Sequence, residues 1–381
     1  MRVAVPAEVL PGERRVAVTP DTVAQLVGAG LEVVVQRSAG LHAFVPDEAY
    51  ADAGAEVVET VDAGAVDVLL HVRPLHPSVP AKLKQGAITV GLGSPSAELH
   101  TVAALRDAGV TSFALELVPR ISRAQSMDAL TSQALVAGYR CVLEGAMRLP
   151  RFFPLFMTAA GTVPPARVLV LGAGVAGLQA IATAKRLGAV VHAYDVRPAS
   201  ADEVRSMGGT FVELDLEQLE GAGGYAREMT EERAQRQREL LAPHVAEADV
   251  LVTTAALPGR AAPLLVTTAM VAAMKPGSVV VDLAAESGGN VEGSVPGEDV
   301  GVPSAAGGGA VTVVGMKDAA STMPVDASRL YAKNVAAFLL LMTKDGVVAP
   351  DFEDEVVAGT CLTHDGQVRH EPTRLLLEGA V

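Results

Sequence analysis

Two short stretches of this sequence concentrate groups capable of chemistry. In PRISRAQSMD, residues 119–128, Arg120, Arg123, Gln125 and Asp128 crowd together, although charged residues make up only 19% of the chain. The apolar run TSFALELV leads into it, so two guanidiniums, an amide and a carboxylate gather at the mouth of a strand. Taken alone, they also fit a solvated helix start in which Ser126 or Asp128 caps the long helical pattern over roughly 126–148.

The second stretch is GAGVAG, Gly172 to Gly177. It follows the strand-like RVLVL, opens a helical pattern, and is followed 18 residues after Gly177 by Asp195 at the end of the next strand. A lone G-x-G-x-x-G is a weak signal; with strand, helix and acidic residue in place it reads as a dinucleotide site. Gly172 serves the tight turn, Gly174 lets backbone approach a pyrophosphate, and Gly177 permits close helix–strand packing. The helix N-terminus adds unpaired N–H groups and a positive dipole end. Asp195 is expected to accept hydrogen bonds from the adenosine ribose and to repel a 2′-phosphate, which favours NAD over NADP. Arg197, two residues on, leaves that choice open. The competing reading is a glycine turn that only packs a helix.

The elements that must position these groups follow an alternating pattern of short apolar strands and helices, the signature of a parallel α/β sheet. RVAVP, EVVVQ, VDVLLHV (66–72), AITVGL (87–92) and TSFALEL (111–117) are the first strands. LPRFFPLFMTAAGTVPP (149–165) carries four prolines and reads as a crossing between domains. ADVLVTTA, SVVVDLA and VTVVG continue a second sheet, and DASRLYAKNVAAFLLLM (326–342) reads as a long amphipathic helix returning to the first domain. The expected organisation is a discontinuous first domain over 1–130 and 325–381, a connecting helix and linker over 131–165, and a second domain over 166–324 with a loop at 221–240. The fold class is α/β: two Rossmann-like, doubly wound parallel-sheet domains with an NAD cleft between them.

Composition narrows the function classes. The 381 residues, half of them hydrophobic, describe compact globular domains with little disorder. A formal charge of −14 disfavours nucleic acid and direct adsorption to anionic lipid. The longest apolar run, VAAFLLLM, is far short of the roughly 20 residues a membrane helix needs. MRVAVPAEV reads as an opening strand rather than a signal peptide, and Cys141 and Cys361 offer neither a metal spacing nor a disulfide framework. A cytoplasmic location is therefore expected, with any membrane attachment supplied by another protein.

PRISRAQSMDALTSQ, GTVPPARVLVLGAGVAGLQAIATAKRLGA, GGYAREM, PGRAAP and VDLAAESGGN together resemble the NAD(H)-binding component of proton-translocating NAD(P) transhydrogenase. The resemblance spans nearly the whole chain and is closest to the split type, where this component is a separate polypeptide. It implies that the 120–128 loop lies over the nicotinamide end of the cleft. Arg120, Ile121, Ser122, Gln125, Ser126, Met127 and Asp128 would then contact cofactor, while Arg123 is structural. It further implies contacts from Gly172, Ala173, Gly174, Val175, Gly177, Asp195, Val196, Arg197, Gly224, Gln237 and Ala256, with Met229 nearby. Tyr225, in a glycine-rich loop, matches a residue that closes over nucleotide; with Arg120, Gln125 and Asp128 it forms the expected catalytic set. The partners implied are membrane-spanning subunits with an NADP(H)-binding domain and a second copy of this chain, placing it on the inner face of the cell membrane.

The fold is also close to alanine dehydrogenase, whose first domain uses a lysine and a histidine on pyruvate. The matching stretches LLHVRPL and TVGLGSPS place Arg73 and Gly93 there. Arginine cannot replace a proton-transferring lysine, and His71 nearby fits a structural histidine. Oxidising an amine needs a base, whereas hydride exchange between two nicotinamides needs none. Two further readings stand beside the transhydrogenase one: a stand-alone alanine dehydrogenase-like enzyme and a catalytically silent NAD-binding protein.

Overall fold

The structure, a computed structural model, describes residues 1–216, 230–256 and 259–379. The chain forms two compact units, Met1–Gln133 with Ala320–Val381, and Ala134–Ala319.

The first unit opens with β1 (Arg2–Val5), α1 (Pro20–Gly28), β2 (Glu32–Gln36), α2 (Asp47–Asp52), β3 (Glu56–Val58), β4 (Val68–Leu70), β5 (Ile88–Gly91), α3 (Leu99–Asp107) and β6 (Thr111–Ala114). Its strands run β3-β2-β1-β4-β5-β6, all parallel, so the order reverses at β1. The strands are apolar throughout because both faces are covered. Helix α1 begins where Thr19 and Thr22 form a reciprocal cap ahead of Pro20, which is pre-set for the first helical turn. After β6 the chain tightens into a 3-10 turn, Leu115–Leu117, so the expected strand over 111–117 stops early. A second 3-10 segment, Ser122–Met127, precedes α4 (Ala129–Arg148).

The division between the units falls inside α4, not in the proline-bearing segment 149–165, which belongs to the second unit. Nothing in ALTSQALVAGYR breaks the helical period, so a helix serves as the connection. Pro150 then ends it, and the prolines frame a hairpin of β7 (Phe156–Thr158) and β8 (Gly161–Val163). The second unit continues with β9 (Arg167–Leu171), α5 (Val175–Arg186), β10 (Val190–Tyr194), α6 (Ser200–Ser206), β11 (Thr210–Phe211), α7 (Glu231–Glu247), β12 (Val250–Thr253), α8 (Thr268–Ala272), β13 (Val279–Asp282), β14 (Asp299–Pro303) and β15 (Ala310–Gly315). Strand order is β11-β10-β9-β12-β13-β15-β14, parallel except for β14. The order in which strands are added reverses at β9, whose C-terminal end carries the glycine turn. That switch point is where open α/β sheets take ligands. Apolar clusters cover both faces, one including Val168, Val170, Ile181 and Val252, the other Leu169, Leu171, Leu241 and Leu251.

The chain then returns to the first unit with α9 (Pro324–Leu341), β16 (Thr343–Lys344), β17 (Val347–Val348), α10 (Glu355–Thr360), β18 (Cys361–His364), β19 (Gln367–Val368) and α11 (Glu371–Leu377). Strands β18 and β19 extend the first sheet antiparallel beyond β6. Helix α9 buries Ala327, Tyr331, Val335, Phe338 and Leu339 against that unit's core, with the Phe338 ring edge-on to Phe113 at 5.2 Å. Among the described residues no helix is long and apolar enough to cross a membrane.

Candidate functional site

The glycine turn of the second unit is built by close approach. Gly172 has φ +98°, where a side chain is strained, and a Cβ there would lie 2.8 Å from Thr254 Oγ1. A Cβ on Gly177 would sit 1.9 Å from the Gly172 carbonyl oxygen, so the first turn of α5 rests directly on the loop before it. Gly174 differs: it is exposed and a Cβ would meet no protein atom within 4 Å. The first amides of α5 have no intrahelical acceptor and are available to an anion. Gly138 of α4 was not singled out by the sequence, yet a Cβ on it would come 2.1 Å from the Ala176 carbonyl. A bare glycine inside a helix costs about 1 kcal/mol relative to alanine, and that cost was its signal.

Asp195 follows β10 with its carboxylate almost fully buried. Oδ2 accepts from the Ala173 amide at 2.7 Å and Arg197 Nη2 at 3.0 Å; Oδ1 accepts from the Arg197 amide and Nε, each at 2.9 Å. Four donors occupy about the four acceptor positions of a carboxylate. A ribose hydroxyl must therefore take the place of one guanidinium donor, which makes Arg197 part of the site's selectivity. Val196 packs against the core.

Gln237 is buried on α7, where its side chain hydrogen-bonds Tyr194; burial raises the Tyr194 phenol to about 12. Ala256 is exposed beyond β12, next to a firmly held backbone. Asn290 takes the Ala255 amide on Oδ1 at 3.0 Å and donates Nδ2 to the Ala255 carbonyl at 2.8 Å. Asp282, fully buried, accepts from Thr253 Oγ1 and the amides of Ala284, Asn290 and Val291 at 3.0–3.2 Å. The VDLAAESGGN stretch thus holds the loop edge beside the glycine turn.

In the first unit, the 120–128 loop is pinned from inside and presents polar groups outside. Ala124 and Met127 are buried in the core, so Met127 faces away from solvent. Arg120, Ser122, Gln125 and Ser126 are exposed, and Ile121 and Asp128 are half-buried. Arg123 forks onto Asp354, Nη1 to Oδ2 at 2.9 Å and Nη2 to Oδ1 at 2.8 Å. This pairing depresses the Asp354 carboxyl to about 2, and the same carboxylate caps α10 through the Val356 amide. Asp128 caps α4: Oδ1 accepts from the Thr131 amide at 2.9 Å and Oδ2 from the Thr131 hydroxyl at 2.6 Å. The capping role weighed for Asp128 is real, and Thr131 is its partner. Tyr225, Gly224 and Met229 lie outside the described residues.

The positions expected to lack acid–base groups are occupied otherwise. Arg73 Nε lies 3.5 Å from Glu13, and the Gly93 amide donates to the Glu116 carboxylate at 3.0 Å. His71 is buried with Nδ1 2.7 Å from the Arg73 carbonyl, and burial lowers its pKa to about 4. It is neutral near pH 7 and structural. Glu8 accepts from the Val72 amide at 2.6 Å, and burial raises its carboxyl to about 7. Its protonated form is thus favoured by folding, and stability falls as pH rises from about 4.5 through about 7.

A sheet reversing at β9, a glycine turn feeding a helix N-terminus and an acidic residue closing the next strand define a dinucleotide-binding protein of the Rossmann class. Residues 4–137 match the N-terminal domain of alanine dehydrogenase/PNT, and residues 141–371 match its C-terminal domain. The chain belongs to the alanine dehydrogenase/PNT family. It is 47% identical over 382 aligned residues to the first part of the split NAD(P) transhydrogenase subunit alpha of Rhodospirillum rubrum, covering 97% of this chain and 98% of that one. It is 43% identical to NAD(P) transhydrogenase subunit alpha of Cereibacter sphaeroides over 98% of this chain and 72% of that one. The crystal structure of transhydrogenase from Sinorhizobium meliloti superposes with a TM-score of 0.84 at 43% identity, covering 98% of this chain and all of that one.

Proposed function

We propose that this chain is the NAD(H)-binding component of a proton-translocating NAD(P) transhydrogenase. It exchanges hydride with NADP(H) held on a partner subunit, and membrane-spanning subunits couple the exchange to proton movement. The observation that carries this reading is an outward-facing Arg120–Gln125–Asp128 edge in a unit whose positions 73 and 93 hold no lysine or histidine. Anchors without an acid–base pair suit a reaction that moves hydride and no proton.

Bound nicotinamide supplies the hydride chemistry. In this proposal the α5 amides hold the pyrophosphate and Asp195 orients the adenosine ribose. Arg120, Gln125 and Asp128 fix the carboxamide end, where Asp128 stays ionised and serves as an acceptor. Tyr225 and Gly224 are assigned to the same site on the family likeness. Catalysis rests on holding two rings at attack geometry and excluding water.

The test is hydride exchange between NADH and an NADP⁺ analogue. The isolated chain is expected to be nearly inactive and to become fast when a purified NADP-binding component of a transhydrogenase is added. Free turnover by the chain alone, or no exchange with the partner present, overturns the proposal.

We also infer a homodimer. Beyond the family likeness, the β7–β8 hairpin exposes Phe156 and Met157 beside Phe152 and Leu155, with Met157 76% exposed. Apolar surface of this kind marks an interface. Light scattering should show a dimer that Met157→Glu weakens; a monomeric parent chain at working concentration refutes it.

A further inference from the structure

We propose that Asn334 is a positioning residue for hydride transfer, fixing the backbone of the 120–128 loop at the end of a buried line of hydrogen bonds. This inference rests on the reading of that loop given above. Asn334 lies on the buried face of α9 among Tyr331, Val335 and Phe338, where an amide must be satisfied to be tolerated. Its Nδ2 donates to the Ser126 carbonyl at 2.8 Å, and its Oδ1 accepts from Ser132 Oγ at 2.7 Å. The Ser126 carbonyl can only accept, so the amide nitrogen has to face it.

The line continues in one direction. Ser132 Oγ accepts from Gln133 Nε2 at 3.1 Å, and Gln133 Oε1 accepts from Arg15 Nη1 at 2.9 Å. Arg15 is in turn fixed by Glu13, Nε to Oε1 at 2.8 Å and Nη2 to Oε2 at 2.6 Å. Glu13 also accepts from the Ser321 hydroxyl at 2.9 Å. Arg15, Gln133 and Asn334 are each less than 10% exposed. Every donor along the line points from the ion pair towards Ser126, so each bond polarises the next. The carbonyl at the end belongs to the residue after Gln125 and two before Asp128. Movement of that carbonyl moves both side chains expected on the nicotinamide.

The experiment compares Asn334→Ala and the milder Ser132→Ala with Tyr331→Phe. The last removes a buried hydrogen bond from the same helix, Tyr331 to the His71 carbonyl at 2.8 Å, without touching the loop. Single-turnover transfer in the reconstituted complex is expected to fall about tenfold to a hundredfold in Asn334→Ala and less in Ser132→Ala. NADH affinity by calorimetry should change far less than the rate. Amide exchange over residues 121–128 of the nucleotide-free chain should quicken in both. Tyr331→Phe should lower thermal stability while leaving transfer and loop exchange at parent values. Parent-like transfer and exchange in Asn334→Ala, or an equal slowing in Tyr331→Phe, overturns the inference. Should Asn334→Ala fail to fold, Ser132→Ala against Tyr331→Phe decides it by the same criteria. If the parent complex itself transfers no hydride, the functional proposal fails separately, and the exchange data alone decide whether Asn334 holds the loop.

Discussion

Replacing Gln125 by Asn is expected to slow single-turnover hydride transfer about a hundredfold in the reconstituted complex, because a displacement of about 1 Å spoils attack geometry. The substitution keeps the amide and shortens its reach by one methylene. The loop cannot simply advance to restore contact. Ala124 and Met127 are buried in the core, Arg123 is forked onto Asp354, and the Ser126 carbonyl is held by Asn334. Because Gln125 itself is exposed, its loss should leave folding intact. NADH affinity should change little, since most binding is expected at the pyrophosphate and adenosine end. Asp128→Asn makes a companion test: asparagine is also a good N-cap, so α4 keeps its start while transfer slows and the pH–rate profile gains no new ionisation. A Gln125→Asn protein that transfers hydride normally but no longer binds NADH would turn the loop into a binding clamp.

The second large effect is expected at Gly177. Alanine there would place a methyl 1.9 Å from the Gly172 carbonyl, a collision with backbone that only displacement of α5 can relieve. Overpacking of this kind typically costs about 1–3 kcal/mol, and the displaced helix takes its N-terminal amides away from the phosphate position. Calorimetric titration should show NADH binding lost in Gly177→Ala. The parent chain should bind NADH well and NADPH poorly, because Asp195 is expected to face the ribose. Gly174→Ala separates folding from ligand approach: its Cβ meets no protein atom within 4 Å. That variant should therefore fold as the parent does yet bind NADH weakly. Normal NADH affinity in Gly177→Ala would mean that this turn does not hold the dinucleotide.

What was legible in the sequence is what short-range physics writes there. Valine-rich runs buried on both faces marked the strands of both sheets. The spacing of Gly172, Gly174, Gly177 and Asp195 marked a strand–turn–helix–strand unit, because a positive φ and a close backbone approach admit glycine alone. Even Asp128 was recognisable as a cap, since its partner Thr131 is three residues away. Other contacts required the fold. Arg123 finds Asp354 across 231 positions, Asn334 finds Ser126 across 208, and Arg15 finds Gln133 across 118. A hydrogen bond between residues so far apart imposes no period and no spacing on either segment. Gln237 was expected beside a cofactor on likeness alone; it is buried instead against Tyr194, because α7 packs that face onto the sheet. The crossing between units was expected at the prolines, the strongest local breakers. It lies within α4, because a division between units is set by which side chains share a core, and a continuous helix can serve two cores without a break in its sequence.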